Sequence, residues 1–241
     1  MQRPRVLIGC VTCDQDEQFL DQFMEAAHAQ DNKNFDVLFV DNSVRDAYFE
    51  RLKRTGARCI RDAAGGITIV KITRGRNTIR EYALAHDYDY LLFVDTDIVL
   101  PPFALSRLLF QHKDIICGVY LSEVNYEGYK IIAPILFDFG DEESGRIYNI
   151  GGVLRERVTE IAASGFGCML LSAKVLKDIK YRYNPAIDSG EDIMFCLDAR
   201  TKGYKIYCDT SVKCDHYGYP VGDKRNDKQL WKTYLPASSN P

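Results

Sequence analysis

The segment Tyr88-Asp89-Tyr90-Leu91-Leu92-Phe93-Val94-Asp95-Thr96-Asp97-Ile98-Val99-Leu100-Pro101-Pro102 decides how the rest of this 241-residue chain is read. Leu91 to Val94 are apolar without interruption, in a run too short for a buried helix and flanked by polar residues. Such a run predicts a strand covered on both faces, as in the middle of a parallel sheet. It ends abruptly at two carboxylates, Asp95 and Asp97, and the proline pair beyond them stops any regular ladder. On an extended backbone residues two apart point to the same side, so these carboxylates can converge on one point. Held that close, they repel unless a proton or a cation lies between them. A hard divalent ion with oxygen ligands, Mg2+ or Mn2+, suits the pair and leaves positions for phosphate oxygens. The plainer alternative is a strand end followed by a polar turn, where Asp is common.

Toward the N-terminus the chain alternates strand and helix. Arg5 to Val11 reads as a first strand ending at Thr12, and Phe35 to Val40 as a second ending in Asp41-Asn42-Ser43. Between them Phe19, Leu20, Phe23, Met24 and Ala27 follow helical spacing, predicting a helix over Asp16 to Gln30. A helix from Val44 to Arg54 is closed by Gly56, and Ile67 to Ile72 alternates like a strand. Gly75-Arg76-Asn77 then leads into a helix whose inner face carries Ile79, Tyr82, Ala83 and His86. This rhythm predicts an α/β fold, a doubly wound and mostly parallel sheet with right-handed crossovers. Ligands in such sheets collect beyond the carboxyl ends of the strands, where Thr12, Asp41 and the Asp95/Asp97 pair gather. Neither glycine-rich phosphate-binding motif is present, so a bound diphosphate would need a metal and cations such as Arg74, Arg76 or Arg80.

Toward the C-terminus, Pro102 to His112 reads as a helix and Asp114 to Tyr120 as a strand. Tyr129 to Phe139, Ile147 to Ile150 and Val158 to Ala162 read as antiparallel strands and loops, with Asp141 to Gly145 a solvated turn. In Gly165-Phe166-Gly167 the backbone can approach a ligand closely and Phe166 can stack on a sugar; a bend before a buried strand fits equally well. Ser189-Gly190-Glu191-Asp192 opens a helix over residues 190–202. It reads either as a capping box closed by Asp192 or as a general base kept ionised by the helix dipole. His216 ends a further strand, as a structural histidine or a metal ligand. Residues 221–241 form a basic tail, either loosely packed or a lid.

Composition sets the outer limits. Charged residues make up 27% and hydrophobic residues 46% of a chain whose net charge of -3 argues against wholesale coating of nucleic acid. There is no membrane-span-length apolar stretch, repeat or visible export signal, which together with eight cysteines in mostly apolar settings points to a reducing, cytoplasmic location. Cys10-Val11-Thr12-Cys13 has zinc spacing, but no second pair completes a site. The expected organisation is one domain over residues 1–220, with a nucleotide-binding half (1–98) and an acceptor half (99–220).

Taken together, the chain resembles the GT-A-fold glycosyltransferases, most closely glycosyltransferase family 2. The resemblance is carried by Val40-Asp41-Asn42-Ser43, Gly75-Arg76-Asn77, Phe93-Val94-Asp95-Thr96-Asp97, Gly165-Phe166-Gly167-Cys168-Met169-Leu170-Leu171, Gly190-Glu191-Asp192, Gly203-Tyr204-Lys205-Ile206 and Asp215-His216. It implies a Rossmann-like, mostly parallel central sheet with helices on both faces and a small antiparallel acceptor-side sheet. It also implies metal-dependent, inverting transfer of a sugar from a UDP- or GDP-sugar to an acceptor hydroxyl on a glycan, a lipid-linked or a small molecule. By the same resemblance Asp41 bonds the nucleotide base and Asp95 reaches ribose or metal-bound water. Asp97 is the direct ligand of Mn2+ or Mg2+, and His216 completes the metal shell. Thr12, Arg76, Asn77 and Thr96 join the donor pocket, while Gly165, Phe166 and Gly167 join the acceptor side. Asp192 is the base, with Glu191 orienting the acceptor or substituting for it. The chain departs from the pattern at Val11-Thr12-Cys13-Asp14 and at Asn42, which leaves the base of the donor open. It lacks the Q-x-x-R-W signature, which favours single-sugar transfer. A nucleotidyltransferase and a non-catalytic binding module are competing readings. Glycosylation of a hydroxymethylated base in DNA is another and less favoured one; it would use a strip formed by Arg51, Lys53, Arg54, Arg58 and Arg61 together with the tail cations Lys224, Arg225, Lys228 and Lys232.

Overall fold

In the computed structural model the described residues are 3–126, 128–139, 147–149, 156–186 and 190–232. The N-terminal half alternates as expected: β1 (Val6–Thr12), α1 (Leu20–His28), β2 (Phe35–Asp41), α2 (Asp46–Arg54), β3 (Arg58–Arg61), α3 (Thr68–Ala85) and β4 (Tyr90–Val94). The chain continues through β5 (Ile98–Val99), α4 (Ala104–Phe110), β6 (Ile115–Tyr126), β7 (Tyr129–Pro134), β8 (Leu136–Phe139), β9 (Ile147–Asn149), β10 (Val158–Ile161) and β11 (Ala163–Ser164). It then forms β12 (Cys168–Ser172), α5 (Ala173–Asp178), α6 (Glu191–Thr201) and β13 (Ile206–His216).

The large sheet runs in the order β10-β13-β6-β12-β4-β1-β2-β3. β1, β2, β3 and β4 are mutually parallel, and β6 is parallel to β13. β12 is antiparallel to both β4 and β6 and joins the two parallel blocks. A separate antiparallel sheet has the order β11-β8-β9. β4 sits in the middle because its apolar run is buried on both faces. Leu91 and Phe93 join one core with Ile79 and Ala83 of α3, Val175 of α5 and Phe195 of α6. Leu92 and Val94 join the other with Leu20 and Phe23 of α1, Leu52 of α2 and Leu105 of α4. Each large side chain buried in this way contributes about 1.5–3 kcal/mol. The result is helices on both faces of one mixed sheet.

Several expectations are corrected. Ile67 to Ile72 is not a strand: helix α3 begins at Thr68 and runs through Gly75-Arg76-Asn77 without a break. The short alternating window masks a longer stripe, Ile69, Ile72, Arg76, Ile79 and Ala83, whose three- and four-residue spacing is helical. The sheet edge beside β2 is taken instead by β3, a four-residue strand rich in arginine that periodicity does not reveal. The helix expected from Asp16 is split into a 3-10 turn (Glu17–Phe19) and α1, leaving Asp16 outside. The tail is not loose as far as residue 232: Asn226 and Gln229 are buried, and the Trp231 ring N–H donates to the Cys214 carbonyl at 2.9 Å. The expected turn at Asp141 to Gly145, the cap residue Ser189 and the tail beyond Lys232 lie outside the described residues. No helix among the described residues is long and apolar enough to cross a membrane.

Gly118 on β6 shows how tightly the two parallel blocks are joined. A β-carbon there would lie 2.9 Å from the Val212 carbonyl oxygen and 3.0 Å from the Cys168 sulfur. Gly118→Ala is therefore expected to destabilise the fold by about 1–3 kcal/mol, read as a lower urea midpoint at unchanged slope.

Candidate active site

The carboxyl ends of β1 and β4 open onto a cavity of about 190 Å³ lined by Val11, Asp16, Ile72, Arg76, Asp95, Thr96 and Asp97. Asp95 is the first residue past β4, and Asp97 immediately precedes the short β5. β5 pairs with the end of β13, opposing Ile98 to His216, and the Tyr217 N–H donates to the Asp97 carbonyl at 2.9 Å. This crossing brings His216 Nε2 to 3.3 Å from Asp97 Oδ2. The other ring nitrogen, Nδ1, lies 2.7 Å from the Leu121 carbonyl, which assigns the proton to Nδ1 and turns Nε2 toward Asp97. Burial alone would lower the imidazole pKa, but the hydrogen bond and charge of Asp97 outweigh it, and the net shift is upward.

Arg76, 5% exposed in the middle of α3, ties two parts of the site together. Its Nε donates to Glu191 Oε1 at 2.7 Å and its Nη2 to Asp95 Oδ1 at 3.2 Å. The guanidinium also lies 5.1 Å from the Phe93 ring centre and 4.9 Å from that of Phe166. Nη1 is buried without a protein partner. Loss of water raises the Asp95 pKa, opposed by Arg76 and reinforced by the charges of Asp97 and Glu191. Asp192, the second residue of α6, caps its own helix: its Oδ1 accepts the Ile193 N–H at 2.7 Å, and Gly190 stands at the helix start. Burial first, and then the neighbouring Glu191 charge, push the Asp192 pKa up to about 6.

Not every expected residue reaches the cavity. Asp41 is fully buried with both carboxylate oxygens engaged. One accepts from the Ser43 N–H and hydroxyl, the other from Arg61 Nη1 at 2.7 Å. It holds the loop after β2 through these bonds. Thr12 bonds the Tyr48 hydroxyl at 2.8 Å beneath the cavity, and Thr96 leans on Thr12 at 3.3 Å. Asn77 clamps the chain at Tyr181, donating to its carbonyl at 2.8 Å and accepting its N–H at 3.0 Å. Phe166 cannot stack on a sugar: it is 1% exposed, edge-on to Phe93 and Phe195 and covered by Arg76. The expected basic strip is largely neutralised, since Arg51 pairs with Glu17 and Asp21, Lys53 with Glu50, and Arg61 with Asp41.

Two residues of the site were not foreseen. Asp16 lines the cavity with its pKa raised, by burial first and then by the charges of Asp97 and Asp95. Tyr120, buried on β6, packs edge-on against the His216 ring at 5.5 Å. It explains both glycines of the Gly165-Phe166-Gly167 turn: a β-carbon at 167 would lie 2.7 Å from the Tyr120 ring, and one at 165 would collide with its hydroxyl. Tyr120 ended the strand expected over Asp114 to Tyr120, whereas in the structure it lies inside the longer β6. Asp16 carried no signal beyond an acid in an expected first helical turn.

This architecture is the GT-A glycosyltransferase fold, as comparison with solved structures shows. A197 from STIV superposes with a TM-score of 0.53 at 17% identity, over 90% of this chain and 87% of that one. S. aureus TarS, a glycosyltransferase of family GT-2, gives 0.56 at 16% identity over 87% of this chain, which spans only 36% of TarS. TarS 1-349 in complex with UDP-GlcNAc gives 0.55 at 16% identity, over 90% of this chain and 60% of that one. No protein-family model matches the chain, and no curated protein sequence does.

Replacing Arg76 tests the bridge it makes. Arg76→Met leaves Glu191 buried without its counter-charge, and a loss of about 3–5 kcal/mol in denaturant unfolding is expected. Arg76→Lys keeps the charge but not the two-pronged geometry and should recover only part of it.

Proposed function

We propose that this chain is an inverting glycosyltransferase that moves one sugar from a nucleoside-diphosphate sugar to an acceptor hydroxyl. The observation that carries this reading is the bridge from Glu191 through Arg76 to Asp95. It ties the start of α6, where Asp192 follows Glu191, to the end of β4. The fold likeness to TarS, solved in complex with UDP-GlcNAc and with UDP, supports a UDP-sugar as the first donor to try.

The donor set fits a divalent cation. Asp97 Oδ2 and His216 Nε2 lie 3.3 Å apart, close to the spacing of adjacent ligands that each sit ~2.1 Å from one ion. Among the described residues no three His, Cys, Asp or Glu side chains converge as a closed metal site. An ion here would be held by Asp97 and His216, with Asp95 near its water shell, and the substrate's oxygens would fill the remaining positions. Mn2+ or Mg2+, when bound, would neutralise the charge that develops on the departing diphosphate, a stabilisation of several kcal/mol.

The protein's own groups would do the rest. Glu191 is committed to Arg76, which leaves Asp192 as the carboxylate available to take the acceptor's proton. Its raised pKa makes it a better base than an ordinary aspartate while it remains ionised at neutral pH. Arg76 lines the cavity and its Nη1 amino group has no protein partner, so its guanidinium would orient an anionic donor. The neutralised cations on α2 and β3 weigh against DNA as the acceptor. The eight free thiols suit a reducing compartment, and we place the reaction in the cytoplasm.

Incubation with Mn2+ and a panel of UDP-, GDP- and dTDP-sugars should release nucleoside diphosphate, and chelation or Asp97→Asn should suppress that release. Absence of release from every donor, or retained configuration in the product, would refute the reading. Activity should also depend on pH through Asp192. A base whose folded pKa is raised keeps its proton to higher pH, so kcat/KM should fall as the pH drops through about 6 and level off above it. Asp192→Asn should lower the rate by about 10²- to 10⁴-fold and abolish that limb.

A further inference from the structure

We propose that Tyr120 grips the attacking oxygen of the acceptor, donating a hydrogen bond to the same atom that Asp192 deprotonates. The inference rests on the glycosyltransferase reading above and adds to it a residue on the acceptor side.

The geometry converges at Gly165. A β-carbon on that residue would strike the Tyr120 hydroxyl and would stand 3.4 Å from Asp192 Oδ2. The Tyr120 hydroxyl thus occupies the place that a side chain at 165 would fill, Asp192 Oδ2 borders the same place, and the gap between phenol and base is within reach of one shared atom. They are not bonded to each other, and among the described residues no acceptor takes the Tyr120 proton. Asp192 keeps its Oδ1 on the Ile193 N–H, so Oδ2 is the oxygen turned toward the gap. The Gly167 backbone hydrogen-bonds the phenol oxygen, which leaves the hydroxyl proton for another partner. The ring itself is 8% exposed, wedged between Gly167 and the edge of His216. A hydroxyl placed so rigidly, amid Asp95, Asp97 and Asp192, is a hydrogen-bond donor in a site otherwise rich in acceptors.

An acceptor oxygen in this gap accepts from Tyr120 and donates to Asp192 Oδ2. As it attacks the anomeric carbon, its proton passes to Asp192, and the electron pair of the breaking carbon–oxygen bond leaves with the nucleoside diphosphate. Tyr120 keeps its own proton throughout. Its function is to hold a lone pair of the nucleophile in line, a positioning task that water can also exploit when no acceptor is present.

The test is Tyr120→Phe, which deletes one oxygen and keeps the ring against Gly167 and His216, with Tyr120→Leu beside it. The probes are UDP binding in Mn2+ and turnover of the panel donor that the wild type hydrolyses fastest, with water as the acceptor. Turnover in the Phe variant should fall about tenfold or more, the loss of one well-placed hydrogen bond. UDP affinity and melting temperature should stay within twofold and 2 °C or so of the wild type. If Phe restores what Leu loses, the ring alone matters and the inference fails while the function stands. If the wild type neither binds UDP nor consumes any donor, both readings fall together.

Discussion

Arg76 is the constraint on which the rest of the site depends. Its guanidinium is almost wholly removed from water and bonds two carboxylates, one 19 residues away and the other 115. Withdrawing Arg76 and Glu191 from solvent costs several kcal/mol for each ion. That arrangement persists only where the partners are held in good geometry, so the start of α6 cannot drift from the end of β4. Phe93 and Phe166 cover the guanidinium, keep water out and strengthen the attraction to both acids. Burial of Phe166 is thus part of how the charge network is built.

Around that bridge one residue type is divided into different chemistries by its surroundings. Asp41 and Glu191 are tied to arginines and act as structural anions. Asp95, Asp16 and Asp192 lose water without full compensation, and their pKa values rise. Asp97 faces an imidazole whose other nitrogen is fixed by a backbone carbonyl, an arrangement suited to sharing a cation. Environments that separate the acids in this way let neighbouring carboxylates take different parts in one reaction. Tyr120 adds the missing polarity, a proton donor set among acceptors.

Much of this could be read along the chain. The Leu91 to Val94 run identified the central strand because burial on both faces leaves no polar position to interrupt it. Asp95, Asp97, Asp192 and His216 were marked by their places at strand ends or a helix start, and the structure brings Asp97 and His216 together. The same reasoning did not foresee how Asp41, Asn77 and Phe166 are held. It located them at the right edge but could not see Arg61, Tyr181 or the covering guanidinium. It also read Ile67 to Ile72 as extended, because six residues are too few to separate a period of two from one of 3.6.

By itself, the sequence determined the class of fold, the central strand and the edge where polar groups collect. Those follow from periodicity and burial, which are local properties of the chain. Only the tertiary structure decided which of those groups face the cavity and which are consumed as supports. That choice depends on hydrogen-bond partners that folding supplies from distant positions. The chain order does not say that Glu191 pairs with a buried Arg76, or that Gly165 is small because a tyrosine from β6 lies against it.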